Sequence, residues 1–382
     1  MKIINGIYSS ANIFTTNNAE TAIEPYALKQ IQLLCDNKTT ENTKIAIMPD
    51  VHPGIVGTIG FTSTIGKMLM PNLLGNDIGC GMLLAQIKTK NVEFKKMDSL
   101  IRENIPSGTD IRKYVHRFAD NFDFSNLRCG KHIQEKRSLL SLGTLGSGNH
   151  FIEIDKDGNN NIYVIIHSGS RHLGKEVTDY YIKRGQEALH KNEIDIPFEM
   201  TYLEDELLND YIHDVMIVQQ FASINRKIIL DEIIKGMKWK IIDRYECIHN
   251  YIDCDDEIIK AFHAPILRKG AISAKKDEKV IIPINMRDGV ILGIGLGNDE
   301  WNQSAPHGAG RIMNRSDVKS HFTVSAYKKE MKGIYSSCIG SATLDEAPFA
   351  YRNIDDIANA IKDTVHITDI LTPIYNFKGG DK

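Results

Sequence analysis

One carboxylate, one thiol and several imidazoles sit in short glycine-rich segments of this 382-residue chain. The first segment is Asp77-Ile78-Gly79-Cys80-Gly81, just after the apolar run from Met68 to Leu74. Four histidines follow, in Gly148-Asn149-His150-Phe151, Ile166-His167-Ser168-Gly169-Ser170-Arg171, Cys247-Ile248-His249-Asn250 and Pro306-His307-Gly308-Ala309-Gly310-Arg311. Mixed oxygen, sulfur and nitrogen donors fit Mn, Fe, Co or Zn better than Mg or Ca, which prefer oxygen alone. A thiolate can bridge two cations, so one Cys could serve a pair of metals. The competing reading of Asp-x-x-Cys is a surface carboxylate and a small buried thiol filling a turn. Gly75, Gly79 and Gly81 favour a site, because glycine allows unusual backbone angles and close approach.

Each histidine taken singly reads as structural; together they do not. His167 falls where the strand Val164-Ile165-Ile166 gives way to a glycine loop, a place where α/β proteins put chemistry. His150 ends another glycine loop, Gly143 to Gly148. His190, His213 and His366 have no such neighbours and are expected on the surface. Two further segments could handle phosphate. The loop Ser168 to Lys175 precedes a helical pattern, so backbone amides and Arg171 could hold an anion. In His307-Gly308-Ala309-Gly310-Arg311, with Arg315 four residues on, a histidine and two arginines on one helical face suggest a phosphate-handling imidazole with cationic support. The alternative there is a helix start with ordinary surface arginines.

The elements that must position these residues can be read from periodicity. Strands are expected at 44–48, 81–87, 151–154 and 162–166, with a sharp turn at Pro49 to Gly54 and a helix around 96–118. From about 174 to 245 apolar residues recur at three and four positions, which predicts a mainly helical insertion. Short strands return at 271–273, 279–283 and 290–294, and a helix near 355–363 and a short tail close the chain. The expected architecture is one α/β domain with that insertion, because the candidate ligands span 77 to 307 and must converge.

Composition narrows the function. A net charge of −3 argues that any nucleic acid is bound through a local basic groove, not by global charge. Six cysteines without paired spacing read as free thiols in a reducing compartment. The start has no secretory pattern and there is no long apolar run, so a cytoplasmic protein without a membrane span is expected.

Taken together, the segments resemble the RtcB family of RNA ligases, in collinear order over nearly the whole chain. They run from Met48-Pro49-Asp50-Val51-His52-Pro53-Gly54 through Asp77 to Gly81, Leu142 to Ile154, His167 to Arg171, His249-Asn250, Arg268 to Ala271 and His307 to Arg311, ending with Asp345 to Tyr351 and Phe377-Lys378-Gly379. The resemblance implies a single catalytic domain (1–382) of mixed β-sheets with flanking helices, an α/β or α+β fold. It also implies two manganese ions per chain and GTP as co-substrate. Such enzymes join RNA 2′,3′-cyclic phosphate or 3′-phosphate ends to 5′-hydroxyl ends, in repair or tRNA splicing. Cys80 would be the bridging thiolate, His167 and His249 would complete one metal, and Asp77 and His150 the other. His307 would be the nucleophile that becomes guanylylated, oriented by Asp50. Asn149, Glu153, Asn285, Met286, Gly308, Ala309, Gly310, Tyr351 and Lys378 would line the nucleotide. Arg171, Arg311 and Arg315 would hold RNA phosphates. An accessory activating protein is left open.

The chain also departs from the family pattern. The usual Gly-Ser-Met-Gly-Thr-Ala-Ser nucleotide loop is replaced by Ile284 to Gly289. Gly79 stands where an Asn is usual before the cysteine, and His172 where a glycine is usual. These differences fit a divergent member devoted to RNA repair. Two other classes compete: a two-metal phosphoesterase acting on RNA 3′ ends without nucleotide, and a non-catalytic binder of RNA ends. The His307 motif and Lys378 speak against the first, and the full set of candidate ligands against the second.

Overall fold

The computed structural model describes residues 1–15, 23–119 and 122–379. Two sheets dominate. The larger is antiparallel throughout, with strands in the order Ile241–Ile248, Gly81–Ile87, Ile162–Ser168, Phe151–Lys156, Val365–Lys378, Gly289–Gly295 and Lys279–Asn285. The second runs Lys2–Asn5, Ser10–Ile13, Lys44–Pro53, Thr58–Thr64, Ile266–Lys269 and Asn250–Asp253, with one parallel pair, Ser10–Ile13 beside Lys44–Pro53. The fold is therefore mixed α+β with mostly antiparallel sheets, within the expected α/β or α+β class.

Strands expected from continuous apolar runs are present at Gly81–Ile87, Phe151–Lys156, Ile162–Ser168 and Lys279–Asn285. Their residues are mostly buried, which explains a continuous rather than alternating pattern. Three expectations need correction. The strand at 44–48 does not stop at Pro49; it continues to Pro53, with its pairing register shifting between Ile47 and His52. That irregularity leaves Pro49 without a ladder bond to make and turns Asp50 inward. The helix expected over 96–118 is Phe94–Asn104 only, because Pro106 disfavours helical backbone at Ile105. The closing tail is a 14-residue strand, Val365–Lys378, at the heart of the large sheet.

The helical region resolves into Arg171–Lys191 and the 33-residue helix Asp205–Met237, and ends before the strand Ile241–Ile248. Asp205 and Glu206 favour the start of the long helix by complementing its dipole. Leu208, Tyr211, Val215, Val218, Ala222, Ile229 and Ile233 form its buried stripe, each large apolar side chain contributing about 1.5–3 kcal/mol by burial. The polar residues buried on the same helix include Asn225 and Arg226, both fully enclosed. They matter for the site. No helix among the described residues is long and apolar enough to cross a membrane.

Candidate active site

The ends of four strands of the larger sheet each deliver a donor atom. Cys80 immediately precedes the strand Gly81–Ile87, His150 precedes Phe151–Lys156, His167 is the penultimate residue of Ile162–Ser168, and His249 separates Ile241–Ile248 from Asn250–Asp253. Cys80 Sγ lies 3.3 Å from His150 Nε2 and 3.3 Å from His167 Nε2. His150 Nε2 is also 3.0 Å from Asp77 Oδ2, and His167 Nε2 is 3.2 Å from His249 Nε2. The contacts thus run in a chain from Asp77 through His150 and Cys80 to His167 and His249. All four of Cys80, His150, His167 and His249 are buried.

Backbone carbonyls fix two of the tautomers. His150 Nδ1 meets Leu145 O at 2.9 Å and His167 Nδ1 meets Asn149 O at 3.1 Å. A carbonyl only accepts, so each Nδ1 carries the proton and each Nε2 presents a lone pair inward. Burial pushes His167 and His249 well below the usual imidazole range, so both are neutral, the ligand form. Burial and the Asp77 charge push the Cys80 thiol up; a bound cation would reverse that. Lone pairs, a thiol and a carboxylate converging in a buried space are mutually repulsive without a cation, so the donor set fits a soft-tolerant transition metal.

The loops are shaped for this convergence. Gly169 has no side chain because a Cβ there would sit 2.0 Å from Asp77 Oδ1. Gly79, at φ +73°, lies against the long helix, where a Cβ would come within 2.9 Å of Gln219 and Ala222. The usual family Asn before the cysteine has no room here. The long helix locks the loops directly. Asn225 accepts from the Gly143 and Thr144 amides and donates to Thr144 O, Ser168 Oγ and Gly169 O. Arg226 donates to Gly79 O and Ser168 O and pairs with Glu246. One helical turn therefore ties together the backbones beside Cys80, His150 and His167. Sequence reading missed both residues; a polar Asn-Arg pair inside an apolar helical stripe was the available signal.

His307 stands beside this cluster, its ring centroid 4.9 Å from that of His249. Its Nδ1 is 2.6 Å from Oδ2 of Asp50, which is fully buried. The carboxylate holds the proton on Nδ1 and leaves Nε2 as a free lone pair, the arrangement of an activated nucleophile.

A cavity opens from His307. Asn149, Glu153, Asn285, Met286, Gly308, Ala309, Gly310, Arg311, Arg315, Tyr351 and Lys378 line it, as do His52, Phe151, Ile284, Glu346 and Asn376. Every residue assigned from sequence to the nucleotide is in this wall. The unforeseen member with most partners is Glu346. It meets Lys378 Nζ at 2.5 Å, Arg315 Nη1 at 2.6 Å and the Tyr351 hydroxyl at 2.7 Å. Burial would raise it, but Lys378 and Arg315 hold its carboxyl down to about 2. Burial and the Glu346 charge push the Tyr351 hydroxyl up, so it donates.

The arginines are distributed differently from the expectation. Arg311 is in an extended segment bridged to Tyr351, and Arg315 opens the short helix Arg315–His321, so they do not share a helical face; they converge on Glu346 instead. Arg171 is not in the cavity wall. It begins its helix at φ +56° and commits its guanidinium to Thr144 Oγ1 and Gly108 O, under the glycine loop before His150. His190, His213 and His366 are exposed, as expected.

The family profile described as tRNA-splicing ligase RtcB matches residues 37–129 and 117–379. The chain belongs to the RtcB family. It is 30% identical to the RNA-splicing ligase RtcB of Escherichia coli K12 over 373 residues, covering 88% of this chain and 90% of the relative. It is 26% identical to the tRNA-splicing ligase RtcB of Nanoarchaeum equitans, covering 82% and 83%. The RtcB1 protein of a second Escherichia coli strain is 29% identical, covering 88% and 90%.

Proposed function

We propose that this RNA ligase seals RNA 3′-phosphate or 2′,3′-cyclic phosphate ends to 5′-hydroxyl ends through a guanylylated His307, in RNA repair, with two Mn2+ and GTP. The observation that carries the chemistry is the His307–Asp50 pair, set between the donor cluster and the cavity. Family membership carries the RNA substrate.

His307 Nε2 attacks the α-phosphorus of GTP and pyrophosphate leaves, while Asp50 stabilises the positive charge that develops on the ring. The RNA 3′-phosphate then takes the GMP, a cyclic end being opened to a 3′-phosphate first. The 5′-hydroxyl attacks the activated end, and GMP departs. Asp77 with His150, and His167 with His249, would hold one metal each on either side of Cys80; bound metal would neutralise charge on phosphate oxygens. Lys378, Arg311 and Arg315, now held by Glu346, are the cations nearest to an incoming nucleotide or RNA end. Arg171 would act on RNA only through the His150 loop or at its rim. A phosphoesterase without nucleotide is less well supported, because such an enzyme has no need of a clamped imidazole in the wall of that cavity.

The test is incubation with Mn2+ and GTP labelled at the α-phosphate. A label on protein that is lost in acid, survives alkali and is absent from His307→Ala is expected. No label on the wild-type protein, with cyclic phosphate still opened, would leave the phosphoesterase as the function.

A further inference from the structure

Asp155 has no part in the chemistry above, yet it is among the most constrained carboxyls of the chain. It is fully buried, and neither of its oxygens has an N–H or O–H partner among the described residues. It lies two residues after Glu153 on the strand Phe151–Lys156, so the two side chains leave the same face about 6.6 Å apart along the backbone. The groups facing Asp155 are few. On its own strand there is Glu153. Across the sheet Tyr163 is directly opposite, but its hydroxyl is given to Asp157. On the other side Pro373 is opposite and offers no donor. Asn376 and Lys378 reach only as far as Glu153 and Glu346.

Two ionised carboxylates in that position would repel each other with nothing between them. A hydrogen bond between the pair exists only if one carries a proton. The surroundings decide which one. Glu153 has an amide donor, Asn376 Nδ2, at 2.5 Å, and feels the Lys378 charge. Asp155 has neither. We propose that Asp155 keeps its proton at neutral pH and donates it in a hydrogen bond to the Glu153 carboxylate, acting as a positioning residue for the cavity wall. The role in nucleotide binding rests on reading that cavity as the GTP site; the protonation itself does not. Burial and the Glu153 charge both raise Asp155; burial raises Glu153 too, but only to about 7, because Asn376, Asp155 and Lys378 all act for its ionised form.

A carboxylate held from behind by one donor and from the side by another cannot rotate, and its remaining lone pairs point into the cavity as acceptors. The ligand chemistry that matches is an N–H-bearing nucleobase edge. A leucine at this position would keep the volume and remove the donor. An asparagine would keep a donor and remove the titration.

Three measurements test this. Infrared spectra of the wild-type protein near pH 7 should show a buried protonated carboxyl stretch that is missing in Asp155→Asn; superimposable spectra would overturn the proposal. A carboxyl protonated only in the folded state costs stability increasingly as pH rises above its unfolded value, up to its folded one. The melting temperature of Asp155→Asn should therefore exceed that of wild type by a gap that widens between about pH 5 and pH 8; a constant gap would also overturn it. For the positioning role, Asp155→Leu should weaken GTP binding about tenfold, the loss of one hydrogen bond to a charged group, with metal content unchanged and Asp155→Asn restoring affinity. Leucine binding as tightly as wild type would remove that role. If the wild-type protein bound no GTP at all, the proposed function would fail, while the first two measurements would still decide the state of Asp155.

Discussion

Replacing Asp50 by asparagine isolates one interaction of the proposed first step. The amide in Asp50→Asn is nearly isosteric with the carboxylate, and its oxygen can still accept from His307 Nδ1, so geometry and tautomer are largely kept. What is lost is the charge. The nitrogen and oxygen are 2.6 Å apart, and the charge centres of imidazolium and carboxylate are further, at about 4 Å. With an effective dielectric constant near 20, full positive charge on the ring is worth about 4 kcal/mol to a carboxylate at that separation. In the transition state the charge is only partly developed, so roughly 3 kcal/mol is a fair share, or about a hundredfold to a thousandfold in rate. The loss should fall on the single-turnover rate of protein labelling from α-labelled GTP, measured by rapid quench at saturating nucleotide. Nucleotide affinity and metal content should be unchanged, because Asp50 is neither in the cavity wall nor among the converging donors. A labelling rate within about threefold of wild type, with the protein folded, would refute the assignment of Asp50 as the group that stabilises the ring. Loss of bound metal would mean instead that Asp50 supports the donor cluster.

Other perturbations reach separate parts of the site. Cys80→Ala should lower the content of both metals and abolish ligation, and Cys80→Ser should be nearly as damaging because a hydroxyl is a poorer ligand; retention of two ions per chain by elemental analysis would exclude bridging. His307→Ala should lose labelling but keep its metals and still seal RNA that already carries a guanylylated 3′ end, as followed on gels. Arg311→Ala and Arg315→Ala should each flatten the salt dependence of RNA binding, Arg171→Ala less so because its guanidinium is bonded internally; salt-independent binding by the wild type would contradict a cationic track. Glu346 is held to about 2, below its unfolded value, so its stabilisation is present above about pH 4.3 and lost as pH falls towards 2. Glu346→Gln should accordingly remove about 3 kcal/mol at neutral pH and flatten the acid side of the stability curve, measured by denaturant titration.

What could be read from the chain beforehand was chemistry, and it was read because it is local. Asp77-Ile78-Gly79-Cys80-Gly81 and the histidine loops advertise donors flanked by glycines, and those glycines prove to be required by contacts of under 3 Å at Gly79 and Gly169. The apolar runs at 81–87 and 162–166 advertise strands because both faces are covered. The parts that were misread depend on distant partners. The segment Pro49 to Gly54 has the composition of a turn, and only its pairing with Thr58–Thr64 extends the strand to Pro53. The tail Val365–Lys378 alternates in exposure at first and is then buried through to Lys378, so no single period marks it as an interior strand of the sheet.

The same distinction explains why the spacing of Arg311 and Arg315 suggests one helix. Spacing of four is a helical signal only where a helix exists, and the glycines that let the chain pass Asp50 at Gly310 also prevent one. Their true common feature is Glu346, 31 residues beyond Arg315, which no spacing rule connects to them. Asn225 and Arg226 are the clearest instance. Local reading saw an amphipathic helix and stopped there. Their role follows from where the helix lies: a turn pressed against Gly79 can reach the carbonyls beside Cys80 and His167 and the amides before His150 at once. Metal ligands are recognisable one at a time, but the residues that hold three loops in register can be identified only after the loops have met.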